Sequence, residues 1–319
     1  MSSYPQSATE RDHWILAQRL ARTTLNPHEP FAYFAEQEPS ADGNLENVAT
    51  IFLTNRECPF RCVMCDLWRN TLSDSVPPGA IPQQIEFALN HLPGASIIKL
   101  YNSGSFFDPR AIPIADYPSI AVLVRSFDRI IVECHPAFVG PRCLEFRSLL
   151  AGKLEVAMGL ETAHPEVLEK LNKRMTIEQF AAAADFLRAA GIDLRVFILV
   201  QPPFLPQEEA LHWAQCSLDF AFDCGATAAT LIPTRGGNGA MEALAAEGSF
   251  APPSLSTLQA ALEYGIKLHR GRVFADLWDL KPHAEPSCCF SARVERLREI
   301  NLRQEITAPI HCHICGAQS

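Results

Sequence analysis

Between residues 48 and 233 the chain alternates short apolar runs with amphipathic stretches, and this period constrains the fold more than any other feature. The runs are VATIFLT (48–54), SIIKLYN (96–102), DRIIVEC (128–134), KLEVAMGL (153–160), IDLRVFILV (192–200) and ATAATLIP (226–233). They are nearly continuous in apolar residues, as strands are when both faces of a sheet are covered. Helical patterns lie between them, among them IPQQIEFALNHL (81–92) and PRCLEFRSLLAG (141–152), the latter with Pro at its start and Gly at its stop. TIEQFAAAADFLRAAG (176–191) opens on a Thr-x-x-Gln capping box, and QEEALHWAQCSLDFAFDCG (207–225) ends on glycine. Strands separated by helices pair in parallel through right-handed crossovers. The six units therefore predict an α/β fold, a partial (β/α)6 TIM-like barrel, in which the loops after the strands carry the chemistry.

Around that core, residues 1–45 read as an irregular or helical N-terminal extension and 46–245 as the core itself. Residues 246–319 read as a C-terminal helical segment, with a helix over 256–270 and a cysteine-bearing tail. Apolar residues make up 48% of the chain, enough for a sizeable core. No apolar run is long enough to cross a membrane, and the first residues lack a signal core, so a cytoplasmic setting is expected. In that setting eleven cysteines point to metal or redox chemistry before disulfides. The net charge of −9 argues against a protein that wraps bare nucleic acid. The basic stretches KLHRGR (267–272) and RVERLREINLR (293–303) read as solvated helix faces.

Directly after the first strand stands CPFRCVMCDLW (58–68), with Cys58, Cys62 and Cys65 at gaps of three and two residues. A closed zinc site takes four ligands. Three thiolates on one loop can instead hold three irons of a [4Fe–4S] cube and leave the fourth open. C-x3-C-x2-C in this position resembles the radical S-adenosylmethionine (SAM) superfamily. The resemblance implies an open-site [4Fe–4S] cluster that chelates the methionine end of SAM and takes an electron from a flavodoxin- or ferredoxin-type donor. It also implies cleavage of SAM to a 5′-deoxyadenosyl radical that abstracts hydrogen from the substrate. Where the family often has Tyr or Phe before the third cysteine, this chain has Met64.

The resemblance extends to other strand ends. In YNSGSFFDP (101–109), Asn102, Ser103, Gly104 and Ser105 correspond to the turn that meets the SAM amino group. Glu133 and His135 end the third strand, where the polar pair corresponds to a SAM or substrate contact, with an ordinary buried histidine as the alternative for His135. GLET followed by LNKRMT places Glu161 against the SAM ribose or its cationic end, and makes Lys173 and Arg174 salt-bridged helix residues. Arg195, inside an apolar strand, needs a carboxylate, either that of SAM or Glu133 or Glu161. Ile232 and Pro233 would pack on adenine, with Arg235 to Asn238 forming a loop at the mouth.

NSGSFFD, GLET…LNK and LVQPPF together resemble the branch, with an elongator- and methylthiotransferase-type core, that contains the radical SAM subunit of archaeosine synthase. That enzyme converts a lysine-modified 7-deazaguanine in tRNA and works with a separate partner enzyme. The resemblance therefore implies a modified base in tRNA. A small-molecule substrate, and a non-catalytic iron–sulfur or zinc scaffold on the same fold, are the alternatives. A tRNA would be approached through Arg56, Arg61, Arg69 and Arg235, and its base stacked by Phe106, Phe107 or Trp68. In the tail, SCCF (287–290) and HCHICG (311–316) bring Cys288, Cys289, Cys312 and Cys315 into reach of a four-thiolate site, with His283, His311 and His313 as spare imidazoles. Such a pairing reads first as zinc, second as an auxiliary iron–sulfur cluster.

Overall fold

A computed structural model describes residues 4–284 and 287–315. Its one sheet has eight strands in sequential order: β1 (Ala32–Pro39), β2 (Leu45–Phe52), β3 (Ile97–Tyr101), β4 (Arg129–Cys134), β5 (Lys153–Glu161), β6 (Asp193–Val200), β7 (Ala228–Pro233) and β8 (Arg272–Ala275). β1 pairs antiparallel with β2, and every later pair is parallel. Helix α1 (Ala8–Gln18) precedes the sheet. The crossovers carry α2 (Ala80–Leu89), α3 (Tyr117–Leu123), α4 (Pro141–Leu149), α5 (Pro165–Lys170), α6 (Ile177–Ala189), α7 (Ala210–Asp223), α8 (Ala240–Ala246) and α9 (Leu255–Lys267), and α10 (Phe290–Arg303) follows β8. The α6 capping box forms as its sequence predicts, between Thr176 and Gln179.

The sheet curls into a half-barrel with two different faces. Outward residues such as Ile98, Leu100, Ile130, Val132, Val156, Val196 and Ile198 pack under the helices in the main core. Inward residues form layers. Near the strands' C-terminal ends lie Phe34, Phe52, Tyr101 and Phe197, partly exposed and in ring contact at centroid distances of 5.8–6.1 Å.

Below them lies a buried layer of charge. Arg195 Nε donates to Glu155 Oε1 at 2.6 Å, and its two terminal nitrogens donate to Glu38 at 3.1 and 2.8 Å. Lys99 pairs with Glu36 and Glu38, and Arg129 with Glu155 and Asp193. Arg272 reaches Glu155 at 3.5 Å and the Pro39 carbonyl at 3.1 Å. Burial opposes the charge on Glu38, but Arg195 and Lys99 outweigh it and hold the carboxyl well below its usual range. These contacts bridge β1 to β6 and β8 across the interior, and α10 packs against both edge strands. The main-chain groups of β8 on its outer edge do not stay open. Asn301 of α10 exchanges two hydrogen bonds with Ala275, and Gln304 two with Val273.

The six expected strands are β2 to β7. The sheet reaches beyond 46–245 at both ends, because β1 and β8 join it. AYFAEQEP in β1 directs Glu36 and Glu38 inward to the ionic layer, so the apolar alternation of an ordinary strand is missing. Arg195 requires a correction: its guanidinium is fully engaged by Glu38 and Glu155 below the aromatic layer, and its carboxylate partners are neither Glu133 nor Glu161.

Candidate active site at the strand mouth

Gln84 of α2 ends β2. Its side-chain amide accepts from Thr54 N and donates to the Thr54 carbonyl, fixing where the chain leaves the sheet. The cysteine loop that follows is held by its main chain. Val63 N donates to the Leu171 carbonyl. Asn172 Nδ2 donates to the Arg61 carbonyl at 2.8 Å, and Asn238 Nδ2 donates to those of Val63 and Cys65 at 2.8 and 3.1 Å. Arg61 closes the first turn on the Cys58 carbonyl and pairs with Glu57. The three thiols are left unbonded to one another. Burial pushes the Cys58 thiol up to about 11 and the Cys62 and Cys65 thiols up to about 12, each raised further by another member of the triplet. Metal ions would displace those protons.

Beside the triplet the ends of β3, β4 and β5 converge. Gly104 passes so close to Cys58 that a β-carbon there would lie 3.3 Å from the Cys58 Cβ. The half-buried Glu133 carboxylate accepts from Asn102 N at 3.0 Å and from the main-chain N–H groups of Ser103 and Gly104. Burial nevertheless raises it to about 7. Glu161 sits at a bulge where the β5–β6 register shifts, and takes φ 67°. Its carboxylate accepts a hydrogen bond from Lys173 Nζ at 2.5 Å. The pair lies over Gly159, where a β-carbon would come within 2.2 Å of Glu161 Oε1. Burial disfavours the Lys173 charge, but Glu161 outweighs it and holds the ammonium protonated. Left-handed backbone recurs around this ring of strand ends, at Ser103 (φ 54°), Asn172 (φ 57°) and Gln201 (φ 55°). Each such residue costs about 1–2 kcal/mol, and strain of this kind collects at functional sites.

The other expected residues separate into two groups. Ser105 is buried and accepts from His135 N at 2.9 Å, a supporting contact. His135 is the structural histidine: Nδ1 accepts from Ala137 N, Nε2 donates to the Lys173 carbonyl, and the ring stacks on Phe60 at 3.8 Å. Burial and Lys173 depress it to about 3, so it stays neutral. Ile232 and Met64 pack against the same apolar cluster beside the loop. Phe106 and Phe107 are corrections, since they have no exposed surface and pack with Tyr117 and Phe146 in the outer core. Trp68 is buried under Arg19 and Arg69. None of the three can take a flipped base.

Several residues of the site escaped the sequence reading. Lys173, expected as a salt-bridged helix residue, has its ion pair with Glu161 but lies outside a helix, buried beside the cysteines. Asn238 was expected in a mouth loop and clamps the cysteine loop. Gly159, an unbranched break in an apolar strand, carries the detectable signal for a bulge and a close approach.

The donor set fits an iron–sulfur cluster with SAM. Three thiols suit a cube with an open iron. Asn102 is fully buried, yet neither its Oδ1 nor its Nδ2 has a partner, and Gln201 Oε1 is buried without one. Buried unpartnered amides at a strand mouth suit a site that receives the polar groups of a ligand. Comparison with known proteins agrees. The family model of the radical SAM superfamily matches residues 52–214, just over half of the 319-residue chain. An uncharacterized protein of Methanocaldococcus jannaschii is 24% identical over 251 residues, covering 73% of this chain and 68% of that protein. The archaeosine synthase subunit beta of Methanosarcina acetivorans is 27% identical over 182 residues, 54% of this chain and 52% of the subunit, so the match spans about half of that relative. The crystal structure of methylornithine synthase, at 15% identity and a TM-score of 0.50, covers 71% of this chain and 63% of its own, and shares the fold. Thiol triplet, half-barrel and family match converge: the chain is an enzyme of the radical SAM superfamily, whose cofactors are a [4Fe–4S] cluster and SAM.

Proposed function

We propose that this enzyme acts on a modified 7-deazaguanine-type base in tRNA, as a subunit that works with a partner enzyme. The observation that carries the site assignment is the convergence of the Cys58–Cys65 loop, the Glu133 turn and the Glu161–Lys173 pair around the orphaned Asn102 amide. Cys58, Cys62 and Cys65 would hold three irons. When bound, the cluster and SAM supply a carbon-centred radical that abstracts hydrogen. Above about 7, where Glu133 is ionised, Glu133 and Glu161 against the Lys173 ammonium would leave net negative charge for the cationic end of SAM. Asn102, Ser103 and Gly104 would position its methionine end, with Met64 and Ile232 as an apolar wall. The Phe34, Phe52, Tyr101 and Phe197 layer offers flat apolar surface, and a nucleobase has the complementary shape. The similarity to archaeosine synthase subunit beta supports the substrate class, and the word subunit in that relative's name supports a partner.

One observation favours a second reading, a free small molecule. Of the four arginines expected to meet phosphate, Arg61 pairs with Glu57 and Arg235 with Asp276, and in the basic stretches Arg270 pairs with Asp223 and Arg303 with Glu299. On the tRNA reading a partner therefore supplies most phosphate contacts. Nucleoside analysis of tRNA from a strain lacking this gene decides between the two. Accumulation of an unconverted 7-deazaguanine nucleoside, reversed by the wild-type gene and not by Cys62→Ala, is expected. Identical nucleoside profiles in the two strains overturn the tRNA reading.

A further inference from the structure

Four thiols lie together at the far end of the chain, outside the site just described. Cys288 and Cys289 occupy the turn before α10; Cys312 and Cys315 come from the segment after it. All four sulfurs lie within 4.8 Å of one another. Cys288 Sγ is 3.6 Å from Cys312 Sγ, and Cys289 Sγ is 3.9 Å from Cys315 Sγ. Both separations are too long for a disulfide, whose sulfurs stand about 2.05 Å apart. They agree with the edge of a tetrahedron around one ion, about 3.8 Å for a Zn–S bond of about 2.3 Å. A four-iron cube puts each thiolate on a different iron and spreads the sulfurs wider than a single shared ion does. We propose that Cys288, Cys289, Cys312 and Cys315 bind one zinc ion, in a closed structural site without an open coordination position.

The surrounding structure shows what such an ion would do. Residues after α10 bury little apolar surface: Ile306 is 38% and Ile314 82% exposed. The segment is held to α10 at its middle, where Arg296 donates to the carbonyls of Thr307 and Ala308. Beyond that point the described residues through Cys315 are largely exposed, and the two thiols of the CxxC pair end where the two thiols before α10 stand. An ion there would fasten the segment to the N-terminal end of the helix whose Asn301 and Gln304 cover the edge of β8. Its binding would displace the thiol protons to solvent and supply folding free energy to α10 and the segment behind it.

The test measures zinc and iron in the full-length chain carrying Cys58→Ala, Cys62→Ala and Cys65→Ala, so that iron of the first cluster is absent. About one zinc per chain is expected, falling to background when Cys312→Ser and Cys315→Ser are added. Cobalt(II) in place of zinc should give the strong visible bands and thiolate charge-transfer absorption of a tetrahedral site. Should the triple variant fold poorly, the reconstituted wild-type chain serves: the tail variants then lose zinc and keep the cluster iron. Iron with an iron–sulfur spectrum in the triple variant, or no metal after purification without chelator, overturns the proposal.

Discussion

Glu133 shows how burial and charge are set against each other at a single residue. Three main-chain N–H groups point at its carboxylate, yet burial dominates and raises it to about 7. The sign follows directly. Below that value the group holds its proton and is neutral; above it the carboxylate is available to a cation. SAM affinity of the reconstituted enzyme should therefore climb as pH rises through about 7, and Glu133→Gln should remove this step and weaken binding on the order of tenfold, the worth of one pKa unit of interaction. Equilibrium SAM binding across the neutral range, wild type against variant, checks it. A wild-type profile as flat as the variant's would remove Glu133 from the cofactor site. His135, two residues on, illustrates the opposite outcome: both ring nitrogens are satisfied within the protein, and the residue supports the loop at Lys173.

At the scale of elements, the cysteine loop is rigid because distant elements hold its carbonyls. Asn238, between β7 and α8, reaches Val63 and Cys65, and its own Oδ1 accepts from Met241 N at the start of α8. Asn238→Ala should leave two carbonyls unpaired, at a cost of about 1–3 kcal/mol. The variant should keep its circular dichroism while losing iron faster to a chelator; iron retention equal to wild type would show that the clamp is dispensable. Strands β2 to β7 were legible in the sequence because burial on both faces writes them as apolar runs. β1 and β8 were not, since β1 carries two acids of an interior ion layer, Glu36 and Glu38, and β8 is four residues long. Arg195 was misassigned for the same reason: its partner Glu38 lies in a strand the sequence does not announce. Phe106 and Phe107 misled through their position beside the SAM turn, because nothing local tells an aromatic facing the helices from one facing the mouth. The Cys58, Cys62 and Cys65 triplet was read from its spacing together with its place on the loop after the first parallel strand.

For the whole molecule, the half-barrel divides its interior by depth: ions below, aromatic rings above them, and polar strand ends at the mouth. Buried pairs such as Arg195 with Glu38 and Glu155 contribute little net stability beside apolar residues of equal size, but removing one partner leaves an uncompensated charge. They tie the N-terminal strand to β6 and β8, so the extension, the core and the last strand hold together as one sheet. Above this base stand aromatic rings and a mouth at which Arg61 and Arg235 are paired with acids, which is why the proposed tRNA substrate calls for a partner. The central claim, however, is the radical SAM chemistry of the mouth. Its most direct test is anaerobic reconstitution with iron and sulfide, followed by SAM and dithionite, with 5′-deoxyadenosine quantified by mass spectrometry. The account predicts that the wild-type chain forms 5′-deoxyadenosine and that Cys62→Ala forms none. A reconstituted, cluster-bearing wild-type chain that yields no 5′-deoxyadenosine, or a Cys62→Ala chain that yields as much, would contradict it.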